Sequence, residues 1–439
     1  MIVVKFGGSI LDGSDGIRKV YDEVARLPRP LLLVVSAFAD VTNRLEGLAA
    51  VALDDYGTAA EQLKRLFQDH RAIARSVLPE GAFQMWEVQA AEWEHRLGEI
   101  VQGLAIVREL SPRTLDLVVH YGERLSSSIV AAGLEVPCIS ATELMITNPR
   151  HRYARADVAL SRERVEEKLK PLFSDGSQGT NTGVVVTEGY IGRGTDGEVT
   201  TMGRESSDFS ATFFGELLGA DDVRIYTGVP GVLTADPGIV SDAVTIPAMS
   251  YGMARELAVL GAKVLHPRTV RPAERAGFPL SITDLGGNRT IIGSAGDEQV
   301  FSVAALNSAG LITLELRETD EDIATLTAEL ARSVPLIRTV RSGRLFHAVA
   351  ASLPAGLERM VRRSSAGIVR QEARPAALVS LVRERRADAS DAGAFIGAVN
   401  KEDILSFWTD PNERSVSALV PPDRLDDVVE ALHRQFLAD

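Results

Sequence analysis

Lys5 stands two residues before Gly7-Gly8-Ser9, at the end of the apolar run IVVKF. A lysine beside two glycines can hold a phosphate: the glycines let the backbone come close, a following helix start favours anions, and the ammonium adds a full charge. The same string also makes an ordinary tight turn with a surface lysine. A second cluster lies in TTMGRESSDFSA at 200–211. Arg204 has the planar fork that meets a carboxylate or phosphate, and Asp208 can hold a lysine or a metal. The alternative there is a helix start, with Ser206 or Ser207 as cap and Asp208 favouring the dipole. A third cation, Lys263, sits among apolar neighbours in GAKVLHP, either solvated or placed to meet a phosphate.

These residues need a frame. IVVKF at 2–6, the amphipathic IRKVYDEVARL and LLLVVSAF at 31–38 read as strand, helix, strand. Strands apolar throughout belong to a parallel sheet covered on both faces. Residues 58–110 read as two or three helices interrupted near Pro79-Gly81, and a further helix carries LVVHYGERLSSSIVAAGL. VPCIS and TGVVVTEGYIG (182–192) read as strands, followed by a helix from FSATFFGELLG and a strand from VRIYT. MARELAVLGAKVL reads as another helix and PLSITDL as another strand. Alternation to about residue 293 predicts one large α/β domain with a mostly parallel sheet. From about 298 the pattern changes to two small α+β rounds, with DIATLTAELARS (322–333) and DRLDDVVEALHRQFL as helices. The domains expected are 1–297, 298–372 (possibly nested in the next) and 373–439.

Several chemistries are excluded. Gly192-Arg193-Gly194-Thr195-Asp196-Gly197 matches G-x-G-x-x-G, but EVTTM after it reads as a strand, whereas a dinucleotide fingerprint needs a helix. We read a hairpin turn at Asp196-Gly197, which disfavours a nicotinamide cofactor. No Walker A string is present, which argues against a P-loop NTPase. A formal charge of −13 over 439 residues argues against nucleic-acid binding. The lone Cys138 excludes intrachain disulfides and cysteine-based zinc sites, and in LEVPCIS it is expected to be a small buried hydrophobe. No run approaches the roughly 20 apolar residues of a membrane span, and no signal peptide opens the chain, so a cytoplasmic protein is expected.

Taken in order, KFGGS, VSAFADVTNRL, HYGERLSSSIVAAGL, TEGYIGRGTDGEVTTMGRESSDFSA, IYTGVPGVLTADP and ELAVLGAKVLHP resemble the aspartate kinases of the amino-acid kinase family. KxGGS is shared with other members of that family, whereas GAKVLHP after ARELA is more specific. The resemblance implies a three-layer amino-acid-kinase fold followed by two ACT-like, ferredoxin-like units. It implies transfer of the γ-phosphoryl of ATP, with Mg2+, to the side-chain carboxylate of L-aspartate. It further implies a lysine or threonine effector and a homodimer or larger assembly through the ACT units. By the same resemblance Lys5 and Asp208 are catalytic, and Thr42, Glu123, Arg204 and Ser207 contact the substrate. Glu123 would take its ammonium and Arg204 its α-carboxylate. Lys5, Gly7, Gly8, Ser9, Thr227, Gly228, Asp236 and Lys263 fall on the nucleotide side, and no metal ligand is assigned.

Five positions, in four segments, depart from the family pattern. Glu205 and Ser206 replace the glycines of GRGGSD, and Gly228 replaces the aspartate of TDV. Leu233 replaces a common tyrosine, and Gly238 the arginine of DPR. Glu205 beside a site for anions should turn away or pair with a base. Two alternatives stand beside aspartate phosphorylation: a different acceptor, or a silent amino-acid sensor.

Overall fold

Runs of five or so apolar residues bury on both sides, and the structure, a computed structural model, uses them this way. It describes residues 1–174, 183–203, 206–262, 265–316, 327–328, 330–331, 334–342, 344–353, 368–409 and 412–437. Two compact units result, one of residues 1–231 with 268–294, the other of residues 232–267 with 295–439.

The first unit holds β1 (Ile2–Phe6), β2 (Leu31–Val35), β3 (Ile146–Thr147), β4 (Val184–Glu188), β5 (Ile191–Gly194), β6 (Val199–Thr201) and β7 (Asp222–Tyr226). After β8 (Ala248–Ser250), counted with the second unit, it continues with β9 (Leu280–Thr283) and β10 (Arg289–Gly293). Its main sheet runs β4-β2-β1-β7-β9-β10. All neighbours are parallel except β9 and β10. β1, β2 and β4 are buried at every position, as covered parallel strands should be. The connecting helices are α1 (Gly13–Arg26), α2 (Val41–Val51), α3 (Tyr56–Val77), α4 (Glu80–Val107) and α5 (Pro112–Leu134). The break between α3 and α4 falls at Leu78-Pro79, where proline cannot continue a helix. α5 opens on Ser111, whose hydroxyl accepts from the Thr114 amide, with Pro112 at its first position.

Two expectations need correction. The stretch 182–192 is not one strand, because the chain turns at Gly189-Tyr190 and leaves the main sheet. Tyr190 has φ 67, and β5 joins β3 and β6 in a separate small sheet. Cys138 is exposed rather than buried. It makes a single bridge with Val186 of β4, the outermost strand of the main sheet, so the strand expected from VPCIS never extends. The hairpin reading of the glycine-rich stretch holds: β5 and β6 are antiparallel, Gly197 has φ 89, and its amide donates to Gly194 O at 2.8 Å.

The second unit contains β11 (Phe301–Leu306), β12 (Gly310–Leu316), β13 (Leu336–Ser342), β14 (Leu345–Ala350), β15 (Ile368–Pro375), β16 (Ala377–Arg383), β17 (Ser406–Thr409) and β18 (Ser415–Val420). They form two antiparallel sheets, β11-β16-β18-β17 and β13-β14-β12-β15. The second sheet is therefore inserted between two neighbouring strands of the first. Helices Ala389–Ala398 and Leu425–Leu437 cover the first sheet through Phe395, Val429 and Leu432, together with Ala235 and Val240. Most of the helix expected over 322–333 lies outside the described residues. Among the described residues no helix is long and apolar enough to cross a membrane.

Candidate active site

From β1 the chain passes to β2 and then β4 on one side, and later returns to β7 on the other. In open α/β sheets such a reversal leaves a crevice at the carboxyl ends of the strands, where ligands bind. Lys5 is the penultimate residue of β1 and reaches into that region with only 9% of its surface exposed. Its Nζ lies 2.5 Å from Asp208 Oδ1, near the start of the helix Ser206–Leu218. The pair is ionic, since Asp208 Oδ1 lacks the alignment of a hydrogen bond.

The glycines are there for close approach. A Cβ on Gly7 would stand 3.0 Å from Lys5 Nζ and 3.3 Å from Tyr226 O, and one on Gly8 would stand 3.0 Å from Ala37 O. One detail differs from the sequence reading. The Gly7 amide donates to Tyr226 O at 3.1 Å, tying β1 to β7, and is not available to a phosphate. Gly8 is left as the donor of that pair. Ser9 Oγ accepts from the Gly228 amide at 3.1 Å, and the Thr227 amide donates to Thr283 O at 2.9 Å. The shortened Gly228 thus closes on Ser9.

Glu123 comes from α5. That helix reaches the end of β2 because Gly122 has no side chain: a Cβ there would lie 3.1 Å from Ala37 Cβ and 3.2 Å from Val41 Cγ1. Ser126 Oγ donates to Ser36 O at 2.6 Å and fixes the same contact. Glu123 is 3% exposed, and its Oε2 has no hydrogen-bond partner. Burial pushes its carboxyl up to about 8, the Ala37 amide opposes this in part, and the charge of Glu188 adds to it. Glu188 ends β4 and is also raised by burial, with the Ala141 amide and Arg124 acting against that. A buried carboxyl with an open oxygen is built for a cation. Thr42, partly buried, lies in the first turn of α2, just past the Ala37–Ala39 segment that Gly8 touches.

The structure therefore brings Lys5, Gly7, Gly8, Ser9, Thr42, Glu123, Ser207, Asp208, Thr227 and Gly228 into the first unit. Asp236 belongs to the second unit, where its Oδ1 accepts from the Gly238 amide at 2.9 Å and shapes the turn there. Arg204, Glu205 and Lys263 lie outside the described residues, and with them the expectation that Glu205 turns away. Ser206 Oγ donates to Gly203 O at 2.6 Å.

Two carboxylates were missed in the sequence. Glu188 carried a signal, an acid ending the wholly apolar VVVTE. Asp116 carried none. It is fully buried and accepts from Thr201 Oγ1 (2.6 Å), the Thr201 and Arg152 amides and His151 Nδ1, anchoring the end of β6. Gly189 is equally structural: a Cβ would stand 2.6 Å from Ser207 Cβ. Gly189→Ala should displace the helix start bearing Asp208 and destabilise the chain by about 1–3 kcal/mol. Thermal unfolding checks this; an unchanged midpoint would contradict it.

The sequence profile of the Amino acid kinase family matches residues 1–284. The chain belongs to that family. Its fold follows the family expectation, a mostly parallel sheet with helices and then small antiparallel α+β sheets. Among relatives of this amino acid kinase, lysine-sensitive aspartokinase 3 of Escherichia coli (strain K12) is 29% identical over 456 residues, covering 99% of this chain and 98% of that enzyme. The aspartokinase of Chlamydia pneumoniae is 31% identical over 290 residues, covering 64% of this chain and 60% of its own length. The crystal structure of E. coli aspartokinase III with aspartate and ADP superposes with a TM-score of 0.86 at 26% identity, covering 99% of both chains. The aspartate kinase of Clostridium acetobutylicum, at 19% identity and a TM-score of 0.72, shows the shared fold.

Proposed function

We propose that this chain is an aspartate kinase, transferring the γ-phosphoryl group of MgATP to the side-chain carboxylate of L-aspartate to give 4-phospho-L-aspartate. The observation that carries this reading is the buried, unpartnered Glu123 oxygen in the same unit as the Lys5–Asp208 pair. One unit thus holds both a seat for an ammonium and a cation for a phosphoryl group. The whole-length likeness to an enzyme solved with aspartate and ADP supports the same choice of substrates.

In the reaction a side-chain carboxylate oxygen of aspartate attacks the γ-phosphorus. The bond to the β,γ-bridging oxygen breaks, and its electron pair leaves with ADP. Such transfers are governed by positioning and by stabilising charge on the migrating group. Lys5 supplies positive charge, and Asp208 aims the ammonium. The Gly8 amide approaches the phosphates, Glu123 holds the substrate ammonium, and Arg204, with Thr42 and Ser207, the rest of the acceptor. Ser9, Thr227, Gly228, Asp236 and Lys263 are assigned to the nucleotide. The divalent cation bound with ATP neutralises phosphate charge. Among the described residues no group of three or more histidine, cysteine or acidic side chains could hold a metal ion.

Residues 1–297 form the catalytic part in this reading, and the two α+β units of 298–439 are ACT-like regulatory modules that pair in a homo-oligomer of a cytoplasmic enzyme. We take lysine as the effector, since a relative solved with lysine and aspartate superposes with a TM-score of 0.77 at 26% identity. An acceptor panel with hydroxylamine trapping tests the substrate. Aspartate should yield hydroxamate well above glutamate and other amino acids, and lysine should inhibit where threonine does not. A better acceptor than aspartate would refute the assignment.

A further inference from the structure

A second cavity, of about 260 Å³, lies on the first unit and is lined by none of the residues assigned above. Four cations line it: Arg124 from α5, Arg164 and Lys168 from the helical stretch 158–169, and Arg193 from β5. They face one lining carboxylate, Glu143, which is taken by Lys168 at 2.8 Å. Arg164 leans on Glu167 at 3.3 Å. Arg124 and Arg193 form no ion pair among the described residues. Arg124 Nε is buried without an acceptor, although the charge of Glu188 acts on this side chain from the sheet side. The hydroxyls of Ser140 and Thr142 also line the wall, but at 2.9 Å they bond to each other.

Like charges crowded into a partly enclosed space repel one another, and a buried guanidinium nitrogen without an acceptor is costly. Both penalties fall if an anion enters. Nothing in the phosphoryl-transfer reading needs these cations, and they are gathered in a chain whose formal charge is −13. Separate helices and a strand carry them, so the arrangement is set by the fold and not by a loose surface cluster.

We propose that this cavity binds a small phosphate-bearing anion, held by the guanidinium forks of Arg124, Arg164 and Arg193 with Lys168 completing the shell. The forks match phosphate oxygens in pairs, and the volume admits inorganic phosphate or a small phosphomonoester. The site is independent of the aspartate kinase assignment.

Isothermal titration calorimetry of the full chain with inorganic phosphate, against chloride of equal ionic strength, tests it. Glycerol phosphate in a parallel arm distinguishes a site closed around the free ion from one open to a phosphomonoester. The control Lys5→Ala removes the cation of the transfer site, while Arg193→Glu reverses an exposed cation in the cavity without touching the core. Saturable binding should survive Lys5→Ala and weaken at least about tenfold in Arg193→Glu. Heat that disappears with Lys5→Ala, is indifferent to Arg193→Glu, or does not exceed the chloride control would overturn the proposal. Retained circular dichroism of Arg193→Glu separates lost binding from lost fold.

Discussion

Lys5→Ala should lower turnover by about 10²- to 10³-fold or more, while the thermal midpoint moves by only a few degrees. The magnitude follows from the role. Removing one donor aimed at charge in a transition state costs about 10²–10³-fold, and removing a full charge from a phosphoryl-transfer site can cost more. The small effect on folding follows from the surroundings. Removing Lys5 leaves the largely buried Asp208 carboxylate without its cation, but Asp208 keeps a side-chain exposure of 14%, so water entering the vacated space offsets much of that cost. Lys5→Arg should not restore activity. Gly7 packs close against Nζ, and a planar guanidinium is larger than an ammonium. Steady-state rates and thermal melts of the same preparations decide the matter. Equal loss of rate and stability would make Lys5 a structural residue.

Glu123→Gln should raise KM for aspartate about 30-fold or more, the equivalent of ~2 kcal/mol, because the substrate ammonium then meets a neutral amide in a buried site. The same substitution should stabilise the unliganded protein at alkaline pH. The carboxyl is raised to about 8 in the fold from an ordinary 4.5. Between those values the native state holds a proton that the unfolded chain has lost, so stability falls as pH rises, by about 1.4 kcal/mol per pH unit at most. Below the lower value both states are protonated, and above about 8 both are ionised, so the slope vanishes at either end. Substrate affinity runs in the opposite direction. An ammonium binds the carboxylate form, so KM for aspartate should fall as pH rises toward about 8 and then level. Glutamine removes both slopes. Denaturation and KM measured from pH 6 to 9 check the pair, and a KM slope retained in Glu123→Gln would move the effect to another group.

Much of this site was legible because its residues are oddities in their surroundings. Lys5 is a charge at the end of an otherwise apolar strand, and the glycines after it mark a place where no side chain fits. Asp208 lies at a helix start, and only the resemblance set it with Lys5 until β1 and that helix were placed together. Glu123 was reached only through resemblance, since a glutamate inside a helix announces nothing by itself. Its meaning comes from Gly122, which lets α5 close on Ala37 and removes water from the carboxyl. Turns were harder. The chain leaves β4 at Gly189 because Ser207 packs where a side chain would be, a contact 18 residues distant that no local pattern encodes. The inserted sheet of the second unit was raised only as a nesting of 298–372 in the next unit, because strand order depends on pairing between β11 and β16 across everything placed between them.

Phosphorus NMR of the purified chain incubated with MgATP and L-aspartate is the most direct test of the central claim. An acyl-phosphate resonance should grow as ATP is converted to ADP in equal amount, and both changes should be lost in Lys5→Ala. ATP left intact, or hydrolysed to free phosphate with aspartate unmodified throughout, would contradict the account and leave the chain an amino-acid binder without the transfer activity.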